Sequence, residues 1–174
     1  DIYIPELKLG FEFNGNYWHS ELYKSLNYHQ EKSLVAKKQD IQLIHIFEYE
    51  WQDLIKQNIL KSLIKSKLGI FKKKIYARKC EIKEISVNIY QDFCNENHLQ
   101  GSAGAKVKLG LFYQNELVQI MSFSLPRFTN DFDWEIIREC SKLNYCIIGG
   151  KERLWKYFVN TYNPKNCISY CDFS

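Results

Sequence analysis

The first twenty residues contain the side chains best suited to chemistry in this chain. Asp1 stands at the start of a first predicted strand, Glu12 lies in a second, and His19 follows shortly afterwards. Because the strands of a hairpin lie side by side, we expect the two carboxylates to come close together. Carboxylates with a nearby imidazole can hold a divalent metal ion and activate a water molecule. The pattern is therefore typical of a metal-dependent phosphodiesterase.

A predicted helix over residues 20–39 adds further polar groups. His29 and Lys32 are three residues apart and share one face of that helix. The lysine can neutralise charge on a phosphate, and the imidazole can accept or donate a proton. Carboxylates, water and phosphate are hard oxygen ligands, so the expected ion is Mg²⁺. His45, within an apolar strand, and His98, after a later helix, are instead predicted to be structural.

A run of positive charge follows between residues 54 and 80. The net charge of the chain is +4, and no acidic residue lies between Asp53 and Glu81. Such a local excess is expected where a protein contacts phosphates. The predicted partner is double-stranded DNA, contacted by Lys56, Lys61, Lys65, Lys72, Lys73, Lys74, Arg78 and Lys79. The alternative is a solvated helix face followed by a charged linker.

The hydrophobic periodicity predicts a two-domain α/β protein. In residues 1–70, the predicted elements are strands over 2–4, 7–13 and 41–47 and helices over 20–39 and 52–68, the last helix ending at Gly69. The second strand places its apolar residues on one face and Glu12 on the other, and strand 41–47 is expected to run parallel to one of the first two. Mixed-sheet packing with helices on the faces is expected.

The second domain is predicted over residues 80–174, after a basic linker at 71–79. Its predicted elements are strands over 75–82, 107–113, 117–123, 134–140 and 167–171 and helices over 87–97 and 151–162. Strands 107–113 and 117–123 are expected to form a hairpin.

A family resemblance lies in residues 1–19, above all in the run Phe11-Glu12-Phe13-Asn14-Gly15-Asn16-Tyr17-Trp18-His19. This run resembles the core of the very-short-patch-repair endonucleases and, more closely, of their homing-endonuclease relatives in phages. The strand from Ile41 to Glu50 fits the same pattern. The resemblance covers residues 1–68 and implies a small mixed-sheet variant of the PD-(D/E)XK nuclease fold.

The resemblance also implies roles for single residues. Asp1 and the backbone carbonyl of Phe13 would bind the metal, and His19 would activate water. Tyr17 and Trp18 match aromatic residues that wedge into the base stack. Less directly, His29 stands where the repair enzymes have an acid, Asn14 stands where they have a second histidine, and Glu12 matches an acid of related nuclease families. The relatives also have an acidic residue in a helix upstream of the Asp1 strand and a structural zinc whose ligands are not found in this sequence.

The second half resembles the GCN5-related acetyltransferase fold more weakly. The resemblance rests on its element order and on Gly149-Gly150 before a predicted helix. In that family a helix start of this kind holds the pyrophosphate of coenzyme A. The favoured interpretation is instead that the glycine pair permits a tight turn and close packing of helix on sheet.

The composition bears on the cellular compartment of the protein. No apolar run in the sequence approaches the roughly 20 residues of a membrane span, and no signal peptide is expected. The six cysteines suggest buried reduced thiols in the cytoplasm of a bacterial or phage-infected cell, with a zinc site as the alternative. The chain lacks an initiator Met and is expected to be a fragment of a longer protein.

The predicted function is Mg²⁺-dependent cleavage of DNA by a homing-type or repair-type endonuclease. One alternative is an acyl-CoA-dependent transferase in the second half. Another is a DNA-binding module without catalysis.

Overall fold

The computed structural model of the chain describes residues 1–15 and 28–170. It is a mixed α/β structure, as the periodicity predicted. Its strands are β1 (Ile2–Ile4), β2 (Leu9–Asn14), β3 (Gln42–Phe47), β4 (Lys73–Tyr76), β5 (Glu81–Glu84), β6 (Val107–Tyr113), β7 (Glu116–Ser124), β8 (Trp134–Ser141), β9 (Tyr145–Ile148) and β10 (Cys167–Ser169). Its helices are α1 (Tyr28–Lys38), α2 (Glu48–Gln52), α3 (Leu54–Lys67), α4 (Val87–Asn97) and α5 (Gly150–Tyr162).

The described chain divides into two compact units, Asp1–Leu60 and Lys61–Tyr170. The division falls within α3, whereas the sequence placed the end of the first domain at residue 70. The helix is continuous there, so its sequence carries no break that would mark the division. Gly69 has a φ of +73° and follows the last helical turn, in agreement with its predicted role as a stop. Among the described helices, none is long and apolar enough to cross a membrane.

The first unit contains a three-stranded sheet in the order β1-β2-β3. β1 pairs antiparallel with β2, and β2 pairs parallel with β3, with Glu12 opposite His45. The predicted parallel pairing is thus confirmed. A parallel pair needs a crossover connection, and α1 lies within it. Leu9, Phe11, Ile44 and Ile46 are the buried apolar side chains of this sheet.

The second unit contains a five-stranded sheet in the order β10-β8-β7-β6-β5. β5 to β8 pair antiparallel, which confirms the predicted hairpin, and β10 adds parallel to β8. Phe158 of α5 stacks on Phe123 of β7 with 3.6 Å between ring centroids. Tyr90, Phe93 and Cys94 of α4 pack around Ile120 in a second cluster. The sheet therefore has two apolar clusters, one with α5 and one with α4.

The predicted linker at residues 71–79 is wrong in its structure. Lys73–Tyr76 forms strand β4, which pairs parallel with β9, and Ala77–Lys79 forms a turn of 3-10 helix. Ile75 and Ala77 are each only 3% exposed and belong to the core cluster that contains Leu154 and Phe158. Two small apolar anchors are enough to fix the segment, although most of its residues are charged.

Candidate active site

The three strands of the first unit bring acidic and imidazole side chains into one row. Glu12 on β2 pairs in register with His45 on β3. Ile2 pairs with Phe11, so Asp1 lies one position further along, opposite Glu12. Directly opposite residues share a face of a sheet, which places Asp1, Glu12 and His45 in line across the three strands. Asn14 lies on the same face as Glu12 because side chains two residues apart point to the same side.

This row lies beneath α1, and two of its side chains are deeply buried. Glu12 is 3% exposed and Asn14 is 1% exposed. The carboxylate of Glu12 is therefore a buried group, although it lies opposite the apolar face of the predicted strand. Phe13, expected on the apolar face, is 47% exposed and makes an edge contact with Trp51. Both faces of β2 are thus covered, and Phe13 is the one described residue of this strand that is exposed.

Lys32 of α1 donates a hydrogen bond to Oε1 of Glu12. The lysine side chain is 40% exposed, whereas that of Glu12 is 4% exposed, so the cation reaches from solvent to a buried anion. A buried carboxylate without such a partner would be strongly destabilising. Lys32 and Glu12, both predicted site residues, therefore meet directly.

His45 holds the other side of the cluster. Its Nε2 lies 2.9 Å from Oγ of Ser33, and its Nδ1 lies 3.2 Å from Nδ2 of Asn14 and 3.3 Å from Oε2 of Glu12. A single ring nitrogen thus faces both Asn14 and Glu12. Without a proton, this nitrogen can accept a hydrogen bond from the Asn14 amide; with a proton, it can donate one to the Glu12 carboxylate. In each tautomer the other group receives no hydrogen bond from Nδ1.

Two oxygen atoms of this cluster are buried and receive no hydrogen bond from any residue that the structure describes. They are Oε2 of Glu12 and Oδ1 of Asn14. An unsatisfied buried polar group costs about 1–3 kcal/mol, so the pair is a candidate position for a ligand, and Oε2 of Glu12 has a partner only in the tautomer in which Nδ1 of His45 donates. Carboxylate and amide oxygens are ligands that Mg²⁺ accepts. The residues present therefore fit the predicted ion.

The carboxylate content of the site is low. Within residues 1–15 and 28–170, no three His, Cys, Asp or Glu side chains converge in a way that could hold a metal ion. Mg²⁺ commonly takes only one or two carboxylates and completes its shell with water and substrate phosphate. A site built on Glu12 and Asn14 would be of that kind.

Asp1 and Phe13, the two predicted metal ligands, are brought together by the strand pairing. Oδ1 of Asp1 accepts a hydrogen bond from the backbone N–H of Phe13 at 3.3 Å. The contact therefore uses the amide of Phe13, whereas the prediction used its carbonyl. His29 lies next to the row, with 5.1 Å between its ring centroid and that of His45. Its predicted catalytic role stays a prediction.

Three predicted residues, Tyr17, Trp18 and His19, lie outside the described part of the chain. The water-activating role of His19 and the base-stacking role of the two aromatic residues thus stay predictions.

Sequence reasoning missed the contributions of Asn14 and Ser33 as partners within the site. It interpreted His45 as a hydrogen-bonded core residue, which its burial and partners confirm, but did not connect it to Glu12. Asn14 could have been placed beside Glu12 from its position two residues later in the same strand. His45 could not have been placed there, because its pairing with Glu12 depends on the strand register, which a single sequence does not show.

The predicted DNA-contacting residues differ in their surroundings. Lys73 is half-buried, lies 3.8 Å from a carboxylate oxygen of Glu116 and sits over the rings of Tyr113 and Tyr145. Lys56 of α3 lies over the ring of Tyr49. The remaining members are Lys61, Lys65, Lys72, Lys74, Arg78 and Lys79, which are all exposed.

The glycine pair of the second unit has a packing role. Gly149 has a φ of +74°, and a Cβ atom on Gly150 would lie 1.7 Å from Oε1 of Gln119. The start of α5 therefore packs directly on a buried side chain of β7, which supports the favoured interpretation of the pair. A cavity of about 360 Å³ lies nearby, bordered by Met121 and Trp155 among others.

Comparisons with protein-family models, with curated proteins and with solved structures found no match to this chain. The resemblance to repair and homing endonucleases consequently stays a prediction from its motif.

Proposed function

We propose that the first unit is the core of a Mg²⁺-dependent DNA endonuclease related to the PD-(D/E)XK nucleases. The observation that carries the proposal is the buried cluster of Glu12, Lys32, Asn14 and His45, in which two acceptor oxygens receive no hydrogen bond from the described residues. A buried acid, a partly exposed lysine and unmatched oxygens on one sheet face are arranged to bind a cation and a phosphate together.

The ion would be held by Glu12 and Asn14, with Asp1 and the backbone of Phe13 next to them in the sheet. When bound, Mg²⁺ lowers the pKa of a coordinated water and polarises the phosphate. Lys32 can release Glu12 to the cation and place its own charge on a phosphate oxygen, since its side chain already reaches solvent. Nδ1 of His45 orients either the Asn14 amide or the Glu12 carboxylate, depending on its tautomer. His19 is the proposed base that takes the proton of the attacking water.

DNA is the proposed substrate because of the charge around residues 54–80. The exposed lysines there outnumber nearby acids, and phosphate contacts of this type do not depend on base sequence. Cleavage would hydrolyse a phosphodiester bond, with water supplying the new oxygen on phosphorus and the leaving oxygen taking a proton.

The test is plasmid nicking by the protein, comparing wild type with Glu12→Gln. The substitution keeps the side-chain shape and removes the charge, so we expect nicking in Mg²⁺ to fall by at least about 100-fold. Calorimetric titration with Mg²⁺ should show weaker binding in the same variant, which gives a readout independent of cutting.

Asp40→Asn is the matched control. Asp40 is an exposed carboxylate of the same unit, paired with Lys8 at 2.6 Å, and its loss should leave nicking unchanged. Wild-type nicking by a folded Glu12→Gln protein would refute the proposal. Tight binding of DNA without cleavage by the wild-type protein would favour the non-catalytic alternative.

The acyl-CoA alternative has the cavity beside α5 in its favour. Gln119 lies against the start of that helix, where a pyrophosphate would have to bind. Thermal stabilisation of the protein by acetyl-CoA would favour this alternative, and its absence would favour the nuclease.

A further inference from the structure

Strand β4 of the second unit and the residues on either side of it present a surface of basic and aromatic residues. Ile75 is 3% exposed, whereas its neighbours Lys74 and Tyr76 are exposed, so these two side chains share the outer face. The parallel partner strand β9 places Cys146 opposite Lys74 and Ile148 opposite Tyr76. The outer face of this two-stranded sheet therefore carries no acidic residue.

Two cations of this surface lie over aromatic rings. Nζ of Lys74 lies 5.5 Å from the ring centroid of Phe71, and the guanidinium carbon of Arg78 lies 5.2 Å from that of Tyr76. Such cation–π contacts hold the rings and the charges next to each other. Tyr76 nevertheless keeps 49% of its surface open to solvent.

Several basic residues of the second unit are paired with acids, whereas those of this surface are not paired with any described acid of the unit. Lys73, Lys83, Lys142 and Lys151 each lie within 4.0 Å of a carboxylate. None of the four exposed cations at the surface has such a partner among residues 61–170. We call this surface the basic–aromatic face; it consists of Phe71, Lys72, Lys74, Tyr76, Arg78 and Lys79.

We propose that the basic–aromatic face binds single-stranded DNA. Unpaired cations attract the phosphate backbone, and exposed aromatic rings stack on bases that are free of their complement. A duplex keeps its bases stacked inside, so it can use the charges of this face but not its rings. The choice of DNA over RNA rests on the proposed nuclease function, whereas the preference for an unpaired strand rests on the face alone.

Binding of the full chain to a fluorescent oligothymidylate of about 12 nucleotides, followed by anisotropy in EDTA, tests the proposal. We expect Tyr76→Ala to weaken binding of the single strand by roughly 10-fold, because a base–aromatic stack is lost. Binding of a duplex of the same length should change less than about twofold, since paired bases do not reach the ring. The double variant Lys72→Gln/Lys74→Gln should weaken both and lower the salt slope for the single strand by about 1 to 1.5.

Matched control variants test whether the loss of binding is specific to the basic–aromatic face or follows the loss of any exposed tyrosine or lysine. Tyr157→Ala removes another exposed tyrosine, and Lys83→Gln removes a lysine that is paired with Glu81. Both should bind the oligothymidylate like wild type. Asp40→Asn should also bind like wild type. The nuclease test measures nicking in Mg²⁺ and this test measures binding in EDTA, so a failed nuclease proposal and a failed binding proposal give different results.

Three outcomes would overturn the proposal. They are unchanged single-strand binding by a folded Tyr76→Ala protein, tighter wild-type binding to duplex than to oligothymidylate, and tighter binding to oligouridylate than to oligothymidylate. The last would leave an RNA-binding face and remove the assignment to DNA.

Discussion

At the level of single residues, this chain matches its buried carboxylates with cations that reach in from the surface. Glu135 is fully buried, and Arg127 donates to it from its guanidinium and from its backbone N–H. Burial alone would raise the pKa of Glu135, but the hydrogen bonds and charge of Arg127 outweigh it and leave the pKa below its usual value. Glu12 and Lys32 repeat the arrangement in the first unit, with one carboxylate oxygen left unmatched.

The imidazole of His98 makes the stability of the protein depend on pH. Burial, and to a lesser degree the nearby charge of Arg138, lowers the pKa of His98 to about 4. Nδ1 of His98 accepts a hydrogen bond from the backbone N–H of Gln100 at 3.1 Å, which protonation would break. The unfolded imidazole binds a proton near pH 6.5, so its contribution is complete above that pH and is lost as the pH falls towards 4.

We therefore expect the free energy of unfolding to fall by about 1–2 kcal/mol through His98 when the pH is lowered from about 8 to about 5. This range already includes a reduction for the partial solvent access of the ring. Urea unfolding at the two pH values measures the loss. His98→Asn keeps an acceptor for Gln100 and cannot titrate, so it should lose less stability over the same range. An equal loss in the two proteins would contradict this account.

At the level of elements, the tightest packing occurs where α5 begins. A Cβ on Gly150 would also lie 2.7 Å from Cγ2 of Ile147, and Gln119 cannot move freely because its Nε2 donates to Glu139 at 3.1 Å. We expect Gly150→Ala to lower the free energy of unfolding by about 2 kcal/mol, despite the better helix propensity of alanine.

Chemical denaturation measures this loss against Gly104→Ala, whose added Cβ would meet nothing within 4 Å. Shortening the obstructing side chain in Gly150→Ala/Gln119→Ser should restore part of the loss. A Gly150→Ala protein as stable as wild type would show that the helix start is not held by this contact.

Elements with a complete local signal could be predicted from the sequence, and those that depend on distant partners could not. Helix α4 has the predicted bounds because Ser86 caps it, accepting a hydrogen bond from the N–H of Ile89, and because its apolar residues repeat at helical spacing. The strand predicted over 75–82 had the wrong bounds: because lysines surround Ile75, only pairing with β9 shows that β4 spans Lys73–Tyr76 and that a 3-10 turn follows it. The same holds for the site: Glu12 and Lys32 could be proposed from their types, but His45 joins them through strand register.

At the level of the whole molecule, the two units differ in how well their sheets are covered. Six apolar side chains of β6 and β7 have no exposed surface, namely Leu109, Leu111, Val118, Ile120, Met121 and Phe123. In the first unit, the buried apolar strand residues keep between 3% and 8% exposure, and Phe13 is 47% exposed. The central strands of the second unit are therefore expected to open less often than those of the first.

Native-state hydrogen exchange tests this difference. We expect the amides of β6, β7 and β8 to exchange most slowly and those of β2 and β3 to exchange at least about 10-fold faster, because opening to exchange there exposes less apolar surface. Equal protection of the central strands of the two sheets would contradict the expectation.

The pairing of β4 with β9 has a consequence for biosynthesis. Lys73 is positioned opposite Tyr145, so a ribosome must synthesise most of the second unit before β4 meets its partner. Long-range parallel pairing of this type forms late and slowly. A chain that ends before Tyr145 would contain every residue of the basic–aromatic face but would lack strand β9, with which β4 pairs. The proposed affinity for single-stranded DNA would thus arise only near the end of translation. The incomplete chain on the ribosome would therefore not bind single-stranded nucleic acid through this face.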